Sequence, residues 1–390
     1  MSLPLSGLKI LDFSTLLPGP YATQLLADMG AEVLRVEAPS RPDLLKMMPP
    51  MAGKVSAAHA SINRNKKSIA IDLKHASATA IIADLLNEYD IVIEQFRPGV
   101  MARLGLGFEQ LSEIQNKLIY CSITGYGQTG PYKDRAGHDI NYLALSGLAS
   151  YSGRKDTGPV LSGTQIADIA GGSHHAVMAI LASVIQRSAT GKGQYLDISM
   201  SDAALALNTM FGAGAVVSKK DPTCGGEMLN GGLFYDYYET QDGRYLSIGS
   251  LEPNFAAGLL SQLELQSFMN KIADPRPESQ IALREAIADK IKSQAMSHWQ
   301  TVFAAIDVCV EPVLTLNEAA TNEHFVARGM ITTAIDKDGN SITQINSALP
   351  FRREMHQAGA QLGEHTTSAL TQVGYDSDSI EALRSAKCIK

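Results

Sequence analysis

Short apolar runs separated by stretches of helical period mark the first part of the chain. Residues 7–13 (GLKILDF) predict a buried strand, 20–29 a helix closed by Gly30, and 31–37 (AEVLRVE) a second strand, together a βαβ unit. The alternation continues with strands at 68–73 (SIAIDL), 91–96 (IVIEQF) and 118–123 (LIYCSI) and helices at 75–88 and near 108–115. This order predicts an α/β fold: a Rossmann-like domain whose mostly parallel sheet carries helices on its faces.

Beyond Asp168, the residues Val177, Ile180, Leu181, Val184 and Ile185 form one stripe of a helix that should end near the glycines at 191 and 193. A strand (QYLDIS) and a helix over 202–211 follow. The texture changes after about Ala215. Segments 234–239 and 244–249 flank Asp242-Gly243, a hairpin signal, and a second such signal stands at Asp338-Gly339. Helices are expected at 254–265, 279–295, 297–305 and 379–386, the third opening with a capping box from Ser297 to Gln300. This mixture predicts a smaller α+β domain at 222–330.

Length agrees, since 390 residues exceed one ordinary core and call for two domains or one large domain with an insertion. Hydrophobic content of 45% with 19% charged residues is that of a soluble globular protein, and no stretch approaches the apolar length expected of a membrane span. The start lacks the features of a secretory signal and the end those of a peroxisomal or lipidation tail, so a cytoplasmic location is expected, with no membrane partner. The cysteines, at 121, 224, 309 and 388, have neither metal-ligand nor disulfide-framework spacing and read as packing residues. A net charge of −7 speaks against a nucleic-acid partner, and any anionic ligand must meet a local basic patch.

Gly125, Gly127 and Gly130 match G-x-G-x-x-G after a predicted strand. A dinucleotide site needs a helix opening at those glycines, whereas Pro131, Tyr132 and a charged stretch follow, so a loop is expected.

Several segments taken in order, among them GLKILDFSTLLPGPYATQLLADMGAEVLRVEAP, NRNKKSIAIDLK, IEQFRPGVMARLGLG, TGYGQTGPYKDRAGHDINYLALSG and DGRYLSIGSLEPNF, resemble the family III CoA-transferases. Within that family the likeness is to the α-methylacyl-CoA racemase branch, and it spans nearly the whole chain. The resemblance implies a large domain built from 1–221 together with 331–390, a small domain at 222–330, and an interlocked homodimer.

It also implies the chemistry. Racemising the carbon beside a thioester carbonyl requires one group to remove a proton from one face and another to deliver one to the opposite face. Histidine suits this because its ordinary pKa of about 6.5 keeps both protonation states populated near neutrality. His138 matches the histidine of the racemase GHD motif, and Asp168 matches the family's catalytic aspartate. Glu252 resembles an orienting partner for the histidine, with Asp139 a weaker candidate for that role. Without the resemblance, His138 reads as a loop histidine and Asp168 as a helix N-cap. Free N–H groups around 169–171 are expected to meet the thioester oxyanion, with Gly171 and Gly172 leaving room for close approach. That helix end should lower the Asp168 pKa, and burial should raise it.

No cofactor or metal is expected for catalysis; coenzyme A enters as part of an acyl-CoA substrate, and its phosphates call for cations. Arg64, Lys67, Arg97 and Arg103 are the candidates, Arg103 by match to a coenzyme-binding arginine, while Lys66 reads as solvated charge and Arg97 as either. Ala38 stands where the family has an arginine, and Arg41 is the available substitute. Leu16, Leu17 and Pro18 lie in the first βα loop, which in the family rests against the coenzyme, and Asn230, Gly231 and Gly232 resemble its mobile glycine loop. Met47, Met48 and Met51 read as an adaptable wall for an acyl chain or as a disordered segment. The alternatives to a racemase are a CoA-transferase, in which the aspartate is a nucleophile and no histidine is needed, and a non-catalytic acyl-CoA-binding module.

Overall fold

Strand residues of alternating direction divide their side chains between two apolar layers, and this alternation builds the larger part of the molecule. The computed structural model describes residues 3–274 and 276–390. By contacts the chain divides into two units: 1–146, 162–207 and 323–390 form the first, and 147–161 with 208–322 the second.

In the first unit, β1 (Lys9–Asp12), β2 (Glu32–Glu37), β3 (Lys67–Ala70), β4 (Ile91–Glu94), β5 (Ile119–Thr124) and β6 (Gln194–Ser199) form one sheet in the order β6-β5-β4-β1-β2-β3. Every pairing in it is parallel. Ile10, Val33, Ile91 and Ile119 face one layer, with Leu26 of α1 (Pro18–Asp28) and Ile180 of the helix His175–Thr190. Their neighbours Leu11, Leu34, Val92 and Tyr120 face the other, with Ile82, Leu111, Leu370 and Ile380. Leu370 and Ile380 lie on the helices Thr366–Gln372 and Ser377–Ser385, so the end of the chain completes a core begun at its start.

The direction of strand addition reverses between β1 and β4, which opens a crevice at their C-terminal ends, the place where such sheets bind ligands. No helix opens at Gly125–Gly130; those residues are loop, as expected.

The second unit holds a three-stranded antiparallel sheet of Asp236–Glu239, Tyr245–Ile248 and Val310–Pro312. Helices Pro253–Gln262, Pro277–Lys292 and Met296–Ala304 cover it, around Phe234, Leu246, Leu259, Leu283, Ile287 and Trp299. Its boundaries differ from 222–330 because distant segments pair. Tyr151 donates to Asn208 Oδ1 at 2.7 Å and accepts from Asn230 Nδ2 at 3.0 Å, which ties 147–161 to the residues after 208. At the other end, Met330 and Arg328 bond to Asn346 and Arg352 of the first unit.

Local expectations fail at several points. The helix expected at 202–211 is two helices, Met200–Ala206 and Phe211–Ser218. Ser297 does not cap: the helix starts at Met296, whose N–H is met by Asp242 Oδ1 of the hairpin at 3.0 Å. Cys121 and Cys388 are buried, but Cys309 is exposed. The helix after Asp168 is longer than its stripe suggested, because a π-helix, Ala167–His174, runs directly into His175–Thr190. The resulting 24 residues are long and apolar enough by length and composition to cross a membrane, contrary to the expectation of no such stretch; Ala176, Ile180 and Ser183 of this helix are buried within the first unit.

Candidate active site

The turns that follow β1, β4 and β5 build the crevice. Asp12, the last residue of β1, accepts from Ser14 and, through its other oxygen, from Thr23 of α1 at 2.6 Å, so the β1 turn is tied to the helix it feeds. Pro18 begins that helix, where its missing N–H costs nothing. Gln95, just after β4, spans the switch point: its Oε1 accepts from Gly19 at 3.0 Å and its Nε2 donates to the Thr15 carbonyl at 2.6 Å. The β5 turn packs on Tyr142, whose ring leaves no room for a side chain at Gly125, where a Cβ would lie 2.6 Å from Tyr142 Cε1.

Tyr142 also donates to the Gly137 carbonyl at 2.6 Å, and Asn141 Oδ1 accepts the His138 N–H at 3.0 Å. Both residues come from the helix Asp139–Leu145, for which His138 is the N-cap in extended conformation. The backbone on each side of the exposed His138 imidazole is therefore held from one helical turn.

Asp139 acts elsewhere than expected. Its Oδ1 accepts the N–H groups of Ala167 at 2.6 Å and Asp168 at 3.1 Å, closing the first turn of the π-helix instead of orienting the histidine. Asp168 is not an N-cap; it lies in that first turn and is half-buried. Burial, and then the neighbouring Asp139, push its carboxyl up to about 6, against a downward pull from His138. Of the two opposed influences foreseen for this residue, burial prevails. The π-turns are fixed by side chains: Ser173 Oγ bonds the Pro18 and Asp168 carbonyls, and His175 Nδ1 lies 2.7 Å from the Ala170 oxygen.

His138 and Asp168 line one crevice of about 430 Å³ with Leu16, Leu17, Pro18, Gln95, Arg97, Tyr126, Lys133, Arg135, Tyr142 and Met200. Arg135 stacks 3.6 Å over the Tyr132 ring, and Tyr126 stands edge-on to both Tyr132 and Tyr142. Lys133 and Arg135 were not anticipated as ligands for a phosphate, although they stand in the charged stretch between the glycine loop and His138. Gln95, Tyr126 and Tyr142 gave no signal that sets them apart in sequence.

Three of the expected cations are placed elsewhere. Arg64 is fully buried, bonded to both oxygens of Asp28 and at 2.7 Å to the Ile345 carbonyl, so it is a structural residue out of reach of a coenzyme phosphate. Lys67 pairs with Glu32 at 3.0 Å on the outer strands, and Arg103 ends a short helix, exposed; neither lines the crevice. Lys66, expected in solvent, is buried on the Pro20 carbonyl and Asn63, with Asp12 3.7 Å away, and its burial pushes its pKa down to about 7. Arg41 and the methionines at 47, 48 and 51 are exposed and outside the crevice.

Of the expected oxyanion donors, the first is engaged within the helix. Ile169 donates to the Gln165 carbonyl at 3.0 Å, while Gly171 and Gly172 are buried against Met200, Ala203 and Pro18, so their missing side chains permit helix packing. Glu252 is an exposed N-cap in the second unit. In the same unit Asn230 bonds Glu227, Tyr151 and Thr223, and Gly231, at φ 101°, gives its carbonyl to Arg284 at 2.6 Å. Among the described residues no group of three or more His, Cys, Asp or Glu side chains is placed to hold a metal ion.

Known proteins resemble this chain over nearly its whole length. Human alpha-methylacyl-CoA racemase is 34% identical over 396 residues, covering 99% of this chain and 97% of that protein. Human succinyl-CoA:glutarate CoA-transferase is 32% identical over 392 residues, covering 98% of this chain and 89% of that protein. The crystal structure of a CAIB/BAIF family protein from Brucella suis superposes with a TM-score of 0.84 at 28% identity, over 96% of this chain and all of that one. A family model, CoA-transferase family III, matches residues 5–366, and the chain belongs to that family.

Proposed function

We propose that the protein racemises 2-methylacyl-CoA thioesters without a cofactor. The observation that carries this reading is the presence of His138 and Asp168 on one crevice, each held by its backbone. One of them removes the α-proton, the C–H electron pair moves into the thioester carbonyl to give an enolate, and the other protonates the α-carbon from the opposite face. With its carboxyl near 6, Asp168 is mostly ionised at neutral pH yet roughly a tenth protonated, so it is able to serve as base in one direction and acid in the other. Arg97, Lys133 and Arg135 supply the positive charge for the coenzyme phosphates.

A CoA-transferase is the second reading, favoured by the similar identity to the glutarate enzyme. There an ionised Asp168 attacks the thioester carbonyl, and His138 has no required part. Incubation with a 2-methylacyl-CoA in deuterated water separates the two. The racemase incorporates deuterium at the α-carbon with loss of optical purity, and His138→Ala abolishes both. No exchange, together with a hydroxylamine-trapped Asp168 adduct when donor and acceptor acids are supplied, would favour the transferase.

A cytoplasmic homodimer is part of the proposal. Family resemblance supports the dimer, as do Met178, Ile185 and Leu205 of the first unit, apolar side chains that are 56%, 74% and 61% exposed. Sedimentation equilibrium at twice the chain mass is the expected result.

A further inference from the structure

Leu16 walls the crevice from the β1 turn and is one of a few non-glycine residues in the left-handed region, with φ at 62°. A leucine is strained there, because its Cβ crowds the backbone, and something must hold it. Its N–H donates to Asp43 Oδ2 at 3.3 Å. The same oxygen takes Arg35 Nη2 at 3.0 Å, while the other accepts from Leu45 at 3.0 Å. Arg35 and Asp43 are 2% and 5% exposed, far below what solvated charges show. Arg35 is itself fixed on β2, between Glu37 at 3.4 Å and His59 Nε2 at 3.2 Å. Burial and the surrounding cations keep His59 neutral, so it is able to accept from the guanidinium.

Buried ion pairs add little net stability, since desolvation opposes their attraction, so the placement of this one calls for another reason. We propose that Asp43, anchored by Arg35, is a positioning residue for substrate binding: it holds Leu16 in the left-handed conformation and so pre-forms the Leu16–Leu17 wall against which the coenzyme half of an acyl-CoA lies. The proposal rests on the crevice being the acyl-CoA site. A pre-formed wall lowers the ordering cost of binding and leaves the proton-transfer groups untouched, so its loss belongs in affinity and not in turnover.

Glycine takes positive φ without strain and does not need the clamp, which gives a test by double-mutant cycle. Calorimetry with coenzyme A would be run on the full chain, on Asp43→Asn, on Leu16→Gly and on the double variant. Asp43→Asn should weaken coenzyme A about tenfold in the leucine background and less than about twofold in the glycine background. KM for the acyl-CoA should rise in parallel while kcat holds within about twofold. Equal costs in the two backgrounds, or no cost in either, would overturn the positioning role. Failure of the unaltered protein to bind coenzyme A would instead overturn the acyl-CoA reading of the crevice, and this inference with it. Should Asp43→Asn fail to fold, Asp43→Glu displaces the carboxylate by one methylene while keeping the charge beside Arg35, and the same cycle applies.

Discussion

In the first turn of the π-helix, the backbone donors that would otherwise favour an ionised Asp168 are already taken by a carboxylate. Asp139 Oδ1 fills the Ala167 and Asp168 N–H groups and places a like charge next to Asp168. The other titratable groups about this carboxylate are His138 and Tyr142 from the same segment, with Lys133 and Arg135 on the crevice wall. Tyr21 of α1 faces His174, and Asp202 acts on Asp197. Asp139→Asn keeps an oxygen acceptor and removes the charge, so the Asp168 pKa should fall from about 6. In the direction that uses ionised Asp168, the acidic limb of kcat/KM should then move to lower pH by about one pH unit. In the direction that needs Asp168 protonated, the rate at neutral pH should drop up to about tenfold. A limb that stays in place would show that burial alone sets the value. His138, Asp139 and Asp168 were legible as candidates through the family motif, whereas the bond from the Asp168 N–H to Asp139 crosses 29 residues and has no local signature.

At the scale of the element, strands were the most legible, since runs such as IVIE and IYCSIT are buried on both faces and are therefore mainly apolar. The π-helix was not legible, because its residues, ADIAGGSH, are mostly small or polar and carry no apolar stripe from which an i→i+5 turn could be told from an α-helix. Gly172 packs closely on its neighbours: a Cβ there would lie 3.1 Å from Met200 Cγ and 3.1 Å from Pro18 Cβ. Gly172→Ala should press the π-helix away from both neighbours, at a cost of about 1–3 kcal/mol in stability. Because Pro18 and Asp168 line the crevice, kcat should fall along with it. Urea unfolding and steady-state kinetics on the same preparation check this, and unaltered values for both would show that Met200 yields freely.

Across the whole molecule, the order of strands and helices was legible from one end, but the return of the chain's end to the first unit, expected at 331–390 and found at 323–390, was carried only by family resemblance. Arg64 shows why. Read as a loop cation beside a strand, it looked like a phosphate ligand, yet its partners are Asp28, 36 residues away, and the Ile345 carbonyl, 281 residues away. It joins α1 to the strand Ser341–Ile345, fully buried, with Asn65 and His356 on the same carboxylate. Arg64→Ala leaves the Asp28 carboxylate buried without its countercharge, for which the expected loss is about 3–5 kcal/mol of unfolding free energy. Replacing both charges, as in Arg64→Met with Asp28→Leu, should recover much of that loss, because desolvation then disappears together with the attraction. Coenzyme A affinity of the folded protein should be unchanged in either variant. A tenfold weaker affinity at unchanged stability would return Arg64 to the role of a coenzyme ligand, and a urea midpoint that falls while affinity holds would fix it as the tie between the two ends of the chain.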